Sequence, residues 1–281
     1  MARHSEDVLK DGTVDARLNY TIDTGEARID TVKAPGEGQG DRVGVAYEQH
    51  DVTIHDGRPL VANFDLDREG VVLVNHRTAT KNFYDDVEVV AVYYPEVEEM
   101  VKAATGAAKV VVFDHTIRID DEEKQAALKV RAPLRHLHND FAEISAPRRV
   151  RDLLPPGEAE ARLKKRYGSI NVWRSINGTV QTAPLVVCDA RSIDDDTDWI
   201  TMERHYGNRV GVTLNLRHNP DHHWYYFPAL DEDEAVLFKN YDSKTDGTAC
   251  FTAHGSFRHP DTKPNATPRE SMEVRTLMFW D

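Results

Sequence analysis

The stretch AKVVVFDHTIRI, residues 108–119, is the part of the sequence that points most directly to the fold. Branched and aromatic side chains dominate it, and these favour extended strands over helices. Runs of the same kind recur along the chain, with turn residues between them. They include GVVLVNHRT (70–78), VEVVAVYY (87–94), SINVWRSI (169–176), APLVVCDA (183–190), RVGVTLNLRHN (209–219), HHWYYFPAL (222–230), AVLFKNY (235–241), ACFTAHGSF (249–257) and SMEVRTLMFW (271–280). The pattern predicts a mainly β protein, built as a sandwich, a jelly roll or a barrel.

Turn signals refine this prediction near the N-terminus. In YTIDTGEARIDTV (20–32), a Thr24-Gly25 turn lies between two β-rich arms, which predicts a hairpin. The segment VGVAYEQHDVTIHDGRPL (43–60) alternates in polarity and then turns at Asp56-Gly57, as expected of a strand that ends there.

Helix signals are few. The segments PEVEEMVKAATG (95–106) and PPGEAEARLKKRYG (155–168) begin with proline and acidic residues and end near a glycine, which is typical of helices. Two helices are too few for a wound sheet of alternating strands and helices. We therefore expect a single domain over residues 1–281, in which RRVRDLLPPGEA (148–159) is the one plausible hinge.

Composition narrows the class of partner. The chain has 281 residues, of which 40% are hydrophobic and 30% charged, as in ordinary globular proteins. Its net charge of −13 disfavours binding to nucleic acids and to large polyanionic substrates. Basic residues cluster in APRRVRD (146–152) and RLKKRYG (162–168). We interpret both clusters as solvated loop and helix surface, with a substrate-facing role as the alternative.

Cysteine usage and the termini bear on location. Cys188 and Cys250 lie in apolar runs, where a free thiol behaves as a small hydrophobe. The N-terminal segment MARHSEDVLKDGT (1–13) lacks the apolar core of a signal peptide, and no apolar run is long enough to span a bilayer. We expect a cytoplasmic protein without a membrane partner.

The segment RHLHNDF (135–141) carries the chemistry. In an extended segment, His138 and Asp140 point to the same face and can reach one cation. A second, distant histidine would complete the set of two histidines and one carboxylate that is typical of non-haem Fe(II) oxygenases, whereas zinc prefers other ligand sets. The triplet alone is a weak signal and also suits a solvated loop. His136 is a rival ligand, and Glu143 has a poorer offset.

The C-terminal region supplies the remaining candidates. His254, in a strand-like stretch, is our candidate for the third ligand, and His259 in RHPD is the alternative. Arg269 and Ser271 share one face of a strand, where a guanidinium fork and a hydroxyl suit the far carboxylate of 2-oxoglutarate. Arg275 has the same facing and is the alternative anchor.

Other polar residues have structural and functional interpretations. Asn171 and Trp173 share a strand face and either fill the core or contribute to the cofactor site. We interpret His115 as structural, whereas Arg118 is within reach of a carboxylate of cofactor or substrate. A further cluster contains His218, His222 and His223. We interpret it as a loop-to-strand junction packed on Trp224, Tyr225 and Tyr226, with a contribution to the substrate pocket as the alternative.

Taken together, several motifs resemble the AsaB-like hydroxylase/desaturase family. The resemblance covers roughly residues 107–279. It rests on HND (138–140), SINVWRSI (169–176), PLVVCDARSI (184–193), HHWYYFP (222–228), LFKNYDS (237–243), AHGSF (253–257) and PRESMEVR (268–275). The resemblance implies a double-stranded β-helix with a few flanking helices, and Fe(II), 2-oxoglutarate and O2 as cofactor and co-substrates. His138, Asp140 and His254 fall on the metal ligands of the family, and Arg269 on the arginine of its PRES motif.

We therefore expect an Fe(II)- and 2-oxoglutarate-dependent oxygenase of specialised metabolism. It would hydroxylate, desaturate or cyclise a small molecule at an unactivated C–H bond. Residues 1–106 would flank a core, 107–281, that carries the metal site, and the protein would be a monomer or homodimer. One alternative is a cupin-like metalloenzyme that does not use 2-oxoglutarate and has no need of Arg269 and Ser271. The other is a metal-free barrel that binds a small molecule.

Overall fold

The structure is a computed structural model that describes residues 12–34, 40–207 and 209–281. Residues 1–11, which make up most of the segment for which we expect no signal peptide, lie outside the described residues.

Fifteen strands of the described chain form two sheets. The strands are β1 (Thr13–Ile22), β2 (Ile29–Thr31), β3 (Arg42–Val43), β4 (Ala46–Asp56), β5 (Val71–Asn75), β6 (Lys109–Ile119), β7 (His138–Asn139), β8 (Tyr167–Ser175), β9 (Leu185–Cys188), β10 (Trp199–Tyr206), β11 (Arg209–Leu216), β12 (Trp224–Tyr226), β13 (Glu234–Asp242), β14 (His254–Ser256) and β15 (Glu270–Phe279). The ten-stranded sheet has the order β1-β4-β12-β9-β14-β7-β11-β10-β2-β3, and the five-stranded sheet has the order β5-β13-β8-β15-β6.

The two sheets pack face to face, and apolar side chains from both fill the space between them. Val236 and Phe238 of β13 share one buried cluster with Val187 of β9 and Tyr225 of β12. Every residue of β8 and β13 is buried, because helices cover the other face of the five-stranded sheet. This arrangement is a jelly roll with flanking helices.

The described residues form five α-helices. They are α1 (Asp86–Glu88), α2 (Tyr94–Thr105), α3 (Glu122–Leu128), α4 (Ser145–Leu153) and α5 (Pro156–Arg162), with a π-helical turn (Val89–Tyr93) joining α1 to α2 and short 3-10 turns at Arg58–Asn63 and Ala190–Ser192. The predicted helix at 95–106 is present and ends at Gly106, whose φ of 68° suits glycine. Within the described residues, every helix is too short or too polar to cross a membrane.

The prediction of a strand at VEVVAVYY (87–94) was wrong. The side chain of Asp85 accepts hydrogen bonds from the backbone N–H groups of Val87 and Glu88, which starts a helix there. Val89, Tyr93 and Val97, spaced four residues apart, then form a buried face against the five-stranded sheet. Packing of this face outweighs the strand preference of the β-branched residues.

The helix predicted at 155–168 is shorter than expected. It forms α5 and ends at Arg162, and Tyr167 already begins β8. The sequence pattern places Lys164, Lys165 and Arg166 in the last turn of the helix. In the structure these residues connect α5 to β8 instead.

The predicted hairpin at 20–32 was also wrong. Gly25 does adopt a positive φ of 72° between the two strands. However, β1 pairs with β4, and β2 pairs in parallel with β10. The N-terminal strands therefore extend the ten-stranded sheet at two distant places.

Candidate metal centre

Three side chains converge between the two sheets. His138 on β7 and His254 on β14 are direct partners across an antiparallel strand pair. Asp140 follows His138 by two residues, and its Oδ1 lies 3.8 Å from His138 Nε2. One donor atom from each of the three residues lies within 4.8 Å of the others. Within the described part of the chain, no other histidine, cysteine or carboxylate group of three meets that condition.

Backbone carbonyls orient both histidine rings. His138 Nδ1 lies 3.1 Å from the carbonyl oxygen of His136, and His254 Nδ1 lies 3.4 Å from that of Thr252. A proton on each Nδ1 leaves the lone pair on Nε2 directed at the convergence point. His254 Nε2 is buried and has no hydrogen-bond partner among the described residues. Such an atom is costly unless a ligand satisfies it.

The five-stranded sheet holds the carboxylate from the other side. Asp140 Oδ2 accepts hydrogen bonds from Asn171 Nδ2 on β8, at 2.9 Å, and from Arg275 Nε on β15, at 2.8 Å. The backbone N–H of Asp140 lies 3.4 Å from Asn240 Oδ1 on β13. These bonds occupy one carboxylate oxygen and leave Oδ1 facing His138.

The surroundings set the protonation states of the three side chains. Burial holds the pKa of His138 well below its usual range, and the neighbouring His254 adds to this effect. Burial also lowers the pKa of His254. For Asp140, burial raises the pKa, but Arg275 and His138 outweigh it and hold the pKa well below its usual range. At neutral pH the site thus offers two neutral imidazoles and one carboxylate, the states in which these groups bind metals.

This donor set fits Fe(II). Two imidazoles and one carboxylate that leave further positions open are the ligands of non-haem Fe(II) oxygenases. A structural zinc site would require a fourth protein donor, and the described residues supply none at this point.

The rival ligands are not among the converging donors. The ring centre of His136 lies 5.0 Å from that of His138 and 5.2 Å from that of Tyr47. Glu143 is exposed. His259 Nε2 lies 3.4 Å from the Tyr226 hydroxyl, in a separate groove.

Arg269 is a buried cation that has no ion-pair partner among the described residues. Its side chain lies over the Trp173 ring, 5.3 Å from the ring centre, and donates to the carbonyl of Ala183. It forms no ion pair with any described carboxylate, and its Nε has no hydrogen-bond partner among the described residues. Burial, with the nearby Arg118, lowers its pKa to about 9. A bound carboxylate would supply the missing partner.

Two neighbours of Arg269 were also predicted to contribute. The hydroxyl of Ser271 is buried and lies 3.4 Å from the carbonyl oxygen of Arg118, its partner across β15 and β6. The Arg118 guanidinium donates to the carbonyl of Ala132 at 2.9 Å, and burial lowers its pKa to about 10. Ser271 thus lies in β15, the strand that follows Arg269, and Arg118 lies opposite it in β6.

Arg275, the alternative anchor, is already engaged. Besides Asp140, it contacts Glu273 at 2.5 Å and Asp114 at 3.3 Å. These carboxylates raise its pKa despite burial. Arg275 therefore acts on Asp140 rather than offering a free guanidinium. The sequence carried no signal for this contact, because it depends on how the two sheets face each other.

The other singled-out histidines have structural partners. His218 stacks on His50 with ring centres 3.6 Å apart, and His222 Nε2 lies 3.0 Å from Asp198 Oδ2. His222 also packs edge-on against Trp224. His115 lies between the Tyr94 hydroxyl, at 2.8 Å, and Asp86, at 3.3 Å.

Sequence reasoning missed two residues that touch the centre, Phe238 and Asn240. The ring of Phe238 lies 4.4 Å from that of His254. Both residues belong to LFKNYDS (237–243), where they are two apart and share a strand face. That alternation was the available signal.

Comparisons with known proteins agree with this geometry. The family model described as an oxidoreductase/YMDC permease-like domain matches residues 18–279. The hydroxylase/desaturase CTB9 of Cercospora beticola is 34% identical over 290 residues, which cover 95% of this chain and 87% of that protein. The Fe(II)/2-oxoglutarate-dependent dioxygenase nvfI of Aspergillus novofumigatus is 31% identical over 240 residues, which cover 83% of this chain and 84% of that protein.

A solved structure agrees as well. The iron and alpha-ketoglutarate-dependent endoperoxidase NvfI superposes with a TM-score of 0.84 and 28% identity, covering 96% of this chain and 98% of that one. The predicted double-stranded β-helix is thereby confirmed. The chain belongs to the family of hydroxylase/desaturases and Fe(II)/2-oxoglutarate-dependent dioxygenases.

Proposed function

We propose that this chain is an Fe(II)- and 2-oxoglutarate-dependent oxygenase in which His138, Asp140 and His254 hold the metal and Arg269 binds the far carboxylate of 2-oxoglutarate. The observation that carries the proposal is that one barrel contains both a buried histidine nitrogen and a buried guanidinium nitrogen that lack partners among the described residues. Among the described residues, the buried His254 Nε2 has no hydrogen-bond partner, and the buried guanidinium of Arg269 has no carboxylate partner. Fe(II) would satisfy the first and 2-oxoglutarate the second.

The residues of the chain prepare the site for this chemistry. When bound, Fe(II) with 2-oxoglutarate and O2 supplies the oxidising power to attack an unactivated C–H bond. Arg275 keeps Asp140 ionised, and Asn171 fixes the orientation of its carboxylate. Phe238 covers one side of the His254 ring and helps exclude water. Trp173, beneath the Arg269 guanidinium, supports the anchor that orients 2-oxoglutarate.

The reaction is hydroxylation, desaturation or oxidative cyclisation of a small molecule, which we assign to specialised metabolism. The names of the relatives support this range, since they include a hydroxylase/desaturase, an endoperoxidase and a protein of aspirochlorine biosynthesis.

The organisation of the chain also enters the proposal. We propose one oxygenase domain over residues 1–281, in which 1–106 flank the core at 107–281. The pairing of β4 with β12 and of β5 with β13 supports a single unit. Two free thiols, Cys188 and Cys250, suit a reducing cytoplasm. We propose a monomer or homodimer, which light scattering distinguishes.

A spectroscopic titration tests the assignment. Fe(II) is added anaerobically to the purified protein, followed by 2-oxoglutarate, and the visible spectrum is recorded. A weak charge-transfer band that requires both additions, followed by succinate release on exposure to O2, is the expected result. Binding of Fe(II) without the band would favour a metalloenzyme that does not use 2-oxoglutarate. No binding of Fe(II) would favour a metal-free barrel.

A further inference from the structure

A large cavity opens beside the proposed metal centre. Its volume is about 720 Å³, and Asp140 and Arg275 form part of its wall. Cavities of this size hold small organic ligands. Because the cavity reaches the carboxylate of the centre, a molecule bound in it would lie next to the metal. The side chains of the lining therefore determine what kind of molecule binds beside the metal.

The lining has the opposite charge to the whole protein. Among the described residues, ten lysines and arginines line the cavity, against five aspartates and glutamates. The chain as a whole has a net charge of −13. Positive charge is thus concentrated at this one place in an acidic protein, where concave walls strengthen its field.

Most of the acidic residues in the lining are already paired. Asp140 and Asp114 both contact Arg275. Asp30 lies 3.4 Å from Arg42 and 3.5 Å from Arg204. The charges within these pairs neutralise one another.

Five arginines of the lining, Arg118, Arg131, Arg148, Arg149 and Arg209, have no carboxylate of the described residues closer than 4.0 Å. Arg131 donates to the backbone carbonyl of Lys33 at 2.9 Å. The carboxylate nearest to Arg149 is that of Asp152, at 4.0 Å. Arg209 forms no ion pair with a described residue. Burial and, to a smaller extent, a neighbouring arginine lower the pKa of Arg131 and of Arg149.

Aromatic rings position two of these guanidiniums. Arg149 lies over Phe113 at 4.6 Å, and Arg209 lies over Tyr206 at 3.9 Å. Stacking on a ring restrains an arginine while leaving its N–H groups free to bind a ligand. The two side chains are therefore held as donors at the cavity wall.

We propose that the substrate is a small molecule with an oxyanion group, a carboxylate or a phosphate, which Arg131, Arg149 and Arg209 bind in this cavity. The apolar part of the molecule then extends along Leu134 and Phe141 toward Asp140. This inference rests on the proposed function, because it assumes that the reacting carbon lies beside the metal centre.

Matched ligands test the inference. Aromatic and terpenoid carboxylic acids, each with its methyl ester and the phosphate ester of the corresponding alcohol, are titrated into the anaerobic Fe(II)–2-oxoglutarate protein by calorimetry. We expect the acids or the phosphates to bind at least about tenfold more tightly than the methyl esters, since a hydrogen bond to a charged group contributes about one order of magnitude in affinity. The better series identifies the oxyanion.

Two variants locate the effect. Arg149→Gln and Arg209→Gln should each reduce the preference for the anion about tenfold without changing the affinity for the esters. Arg162→Gln is the matched control. It removes one positive charge from α5, where Arg162 pairs with Asp281 at 2.7 Å away from the cavity lining, and should leave the preference intact.

The outcomes separate this inference from the proposed function. If the charge-transfer band forms but esters bind as well as acids and phosphates, or no anion of the panel binds, the oxyanion site is refuted and the oxygenase assignment stands. If the control variant reduces the preference as much as Arg149→Gln does, the effect belongs to overall charge and the site is again refuted. Absence of the band overturns the proposed function itself.

Discussion

The two sheets of the barrel make different contributions to the proposed metal centre. The ten-stranded sheet supplies the donors, because β7 and β14 place His138 opposite His254. The five-stranded sheet supplies groups that control charge and orientation, namely Asn171 from β8 and Arg275 from β15. Donor position is thus set by one pair of neighbouring strands, whereas the ionisation of Asp140 is set from across the barrel.

Loss of a donor should have the largest effect. His254→Ala removes a ligand supplied by the ten-stranded sheet, and we expect iron binding and succinate release to fall by more than the about 10–100-fold that loss of an outer partner costs. Metal analysis and a succinate assay measure both. His259→Ala is the control, since that ring lies near Tyr226 and outside the centre. Equal losses in the two variants would contradict the assignment of His254.

Removal of a supporting group should cost less. Asn171→Leu keeps all three donors but removes the amide bond to Asp140, and we expect Fe(II) affinity to fall about 10–100-fold. Competition with a metal-binding dye measures the affinity. Ser169→Ala on the same strand is the control, because its hydroxyl has no hydrogen-bond partner among the described residues. An unchanged affinity in Asn171→Leu would mean that the five-stranded sheet does not tune the metal.

The anchor should separate co-substrate binding from metal binding. Arg269→Gln removes the buried guanidinium, and the KM for 2-oxoglutarate should rise by about tenfold or more through loss of a charged hydrogen bond. Titration of Fe(II) without 2-oxoglutarate shows whether the metal site persists. Arg17→Gln, which breaks only an exposed pair with Asp51, should not change the KM. An unchanged KM in Arg269→Gln would contradict Arg269 as the anchor of 2-oxoglutarate and would favour Arg118.

Acid should weaken the ten-stranded sheet first in the metal-free protein. Seven histidines have lowered pKa values, and six of them lie in or beside strands of that sheet: His55, His136, His138, His218, His222 and His254, with His76 after β5 as the exception. Below pH 6.5 the unfolded chain takes up protons that the folded chain does not, so the free energy of unfolding falls as pH falls. Each such histidine contributes at most about 1.4 kcal/mol per pH unit.

Hydrogen exchange measures this difference between the sheets. Peptides that cover β7 and β14 should lose protection between pH 7.5 and 5.5, after correction for the intrinsic exchange rate, before peptides that cover β8 and β15 do. A simultaneous loss in both sheets would show that the barrel opens as one unit and that the histidines do not set its weak side.

The fold was predictable where local pattern and tertiary structure agree. The β-branched run at 108–119 forms β6, and the segments around Asn171 and Val274 form central strands. It was not predictable where packing overrides local preference, as in the helix at Val89 and Tyr93. The four-residue spacing of these side chains was visible in the sequence, but the β-branched composition outweighed it. Strand pairing, such as that of β2 with β10, depends on distant residues and left no local signal.

In the candidate centre, too, local sequence features were predictable and contacts between distant segments were not. The offset between His138 and Asp140 and the strand-like setting of His254 are local features, and the structure brings these residues together. The bond between Arg275 and Asp140 joins residues 135 positions apart, and no pattern in either segment predicts it. The basic cluster at 146–152 was read mainly as solvated surface. Only the position of α4 at the cavity reveals that Arg149 faces inward.

The reversal of charge between exterior and cavity has a consequence for kinetics. A negatively charged ligand is repelled by the acidic exterior while it is far from the protein. It is attracted only after it reaches the mouth of the cavity. Ionic strength has opposite effects on approach and on binding. It favours approach because it screens the distant repulsion, and it weakens binding because it screens the attraction to the cavity guanidiniums. Added salt should therefore raise the association rate of such a ligand and shorten its residence time. Exchange of bound ligand should then be fastest at high ionic strength.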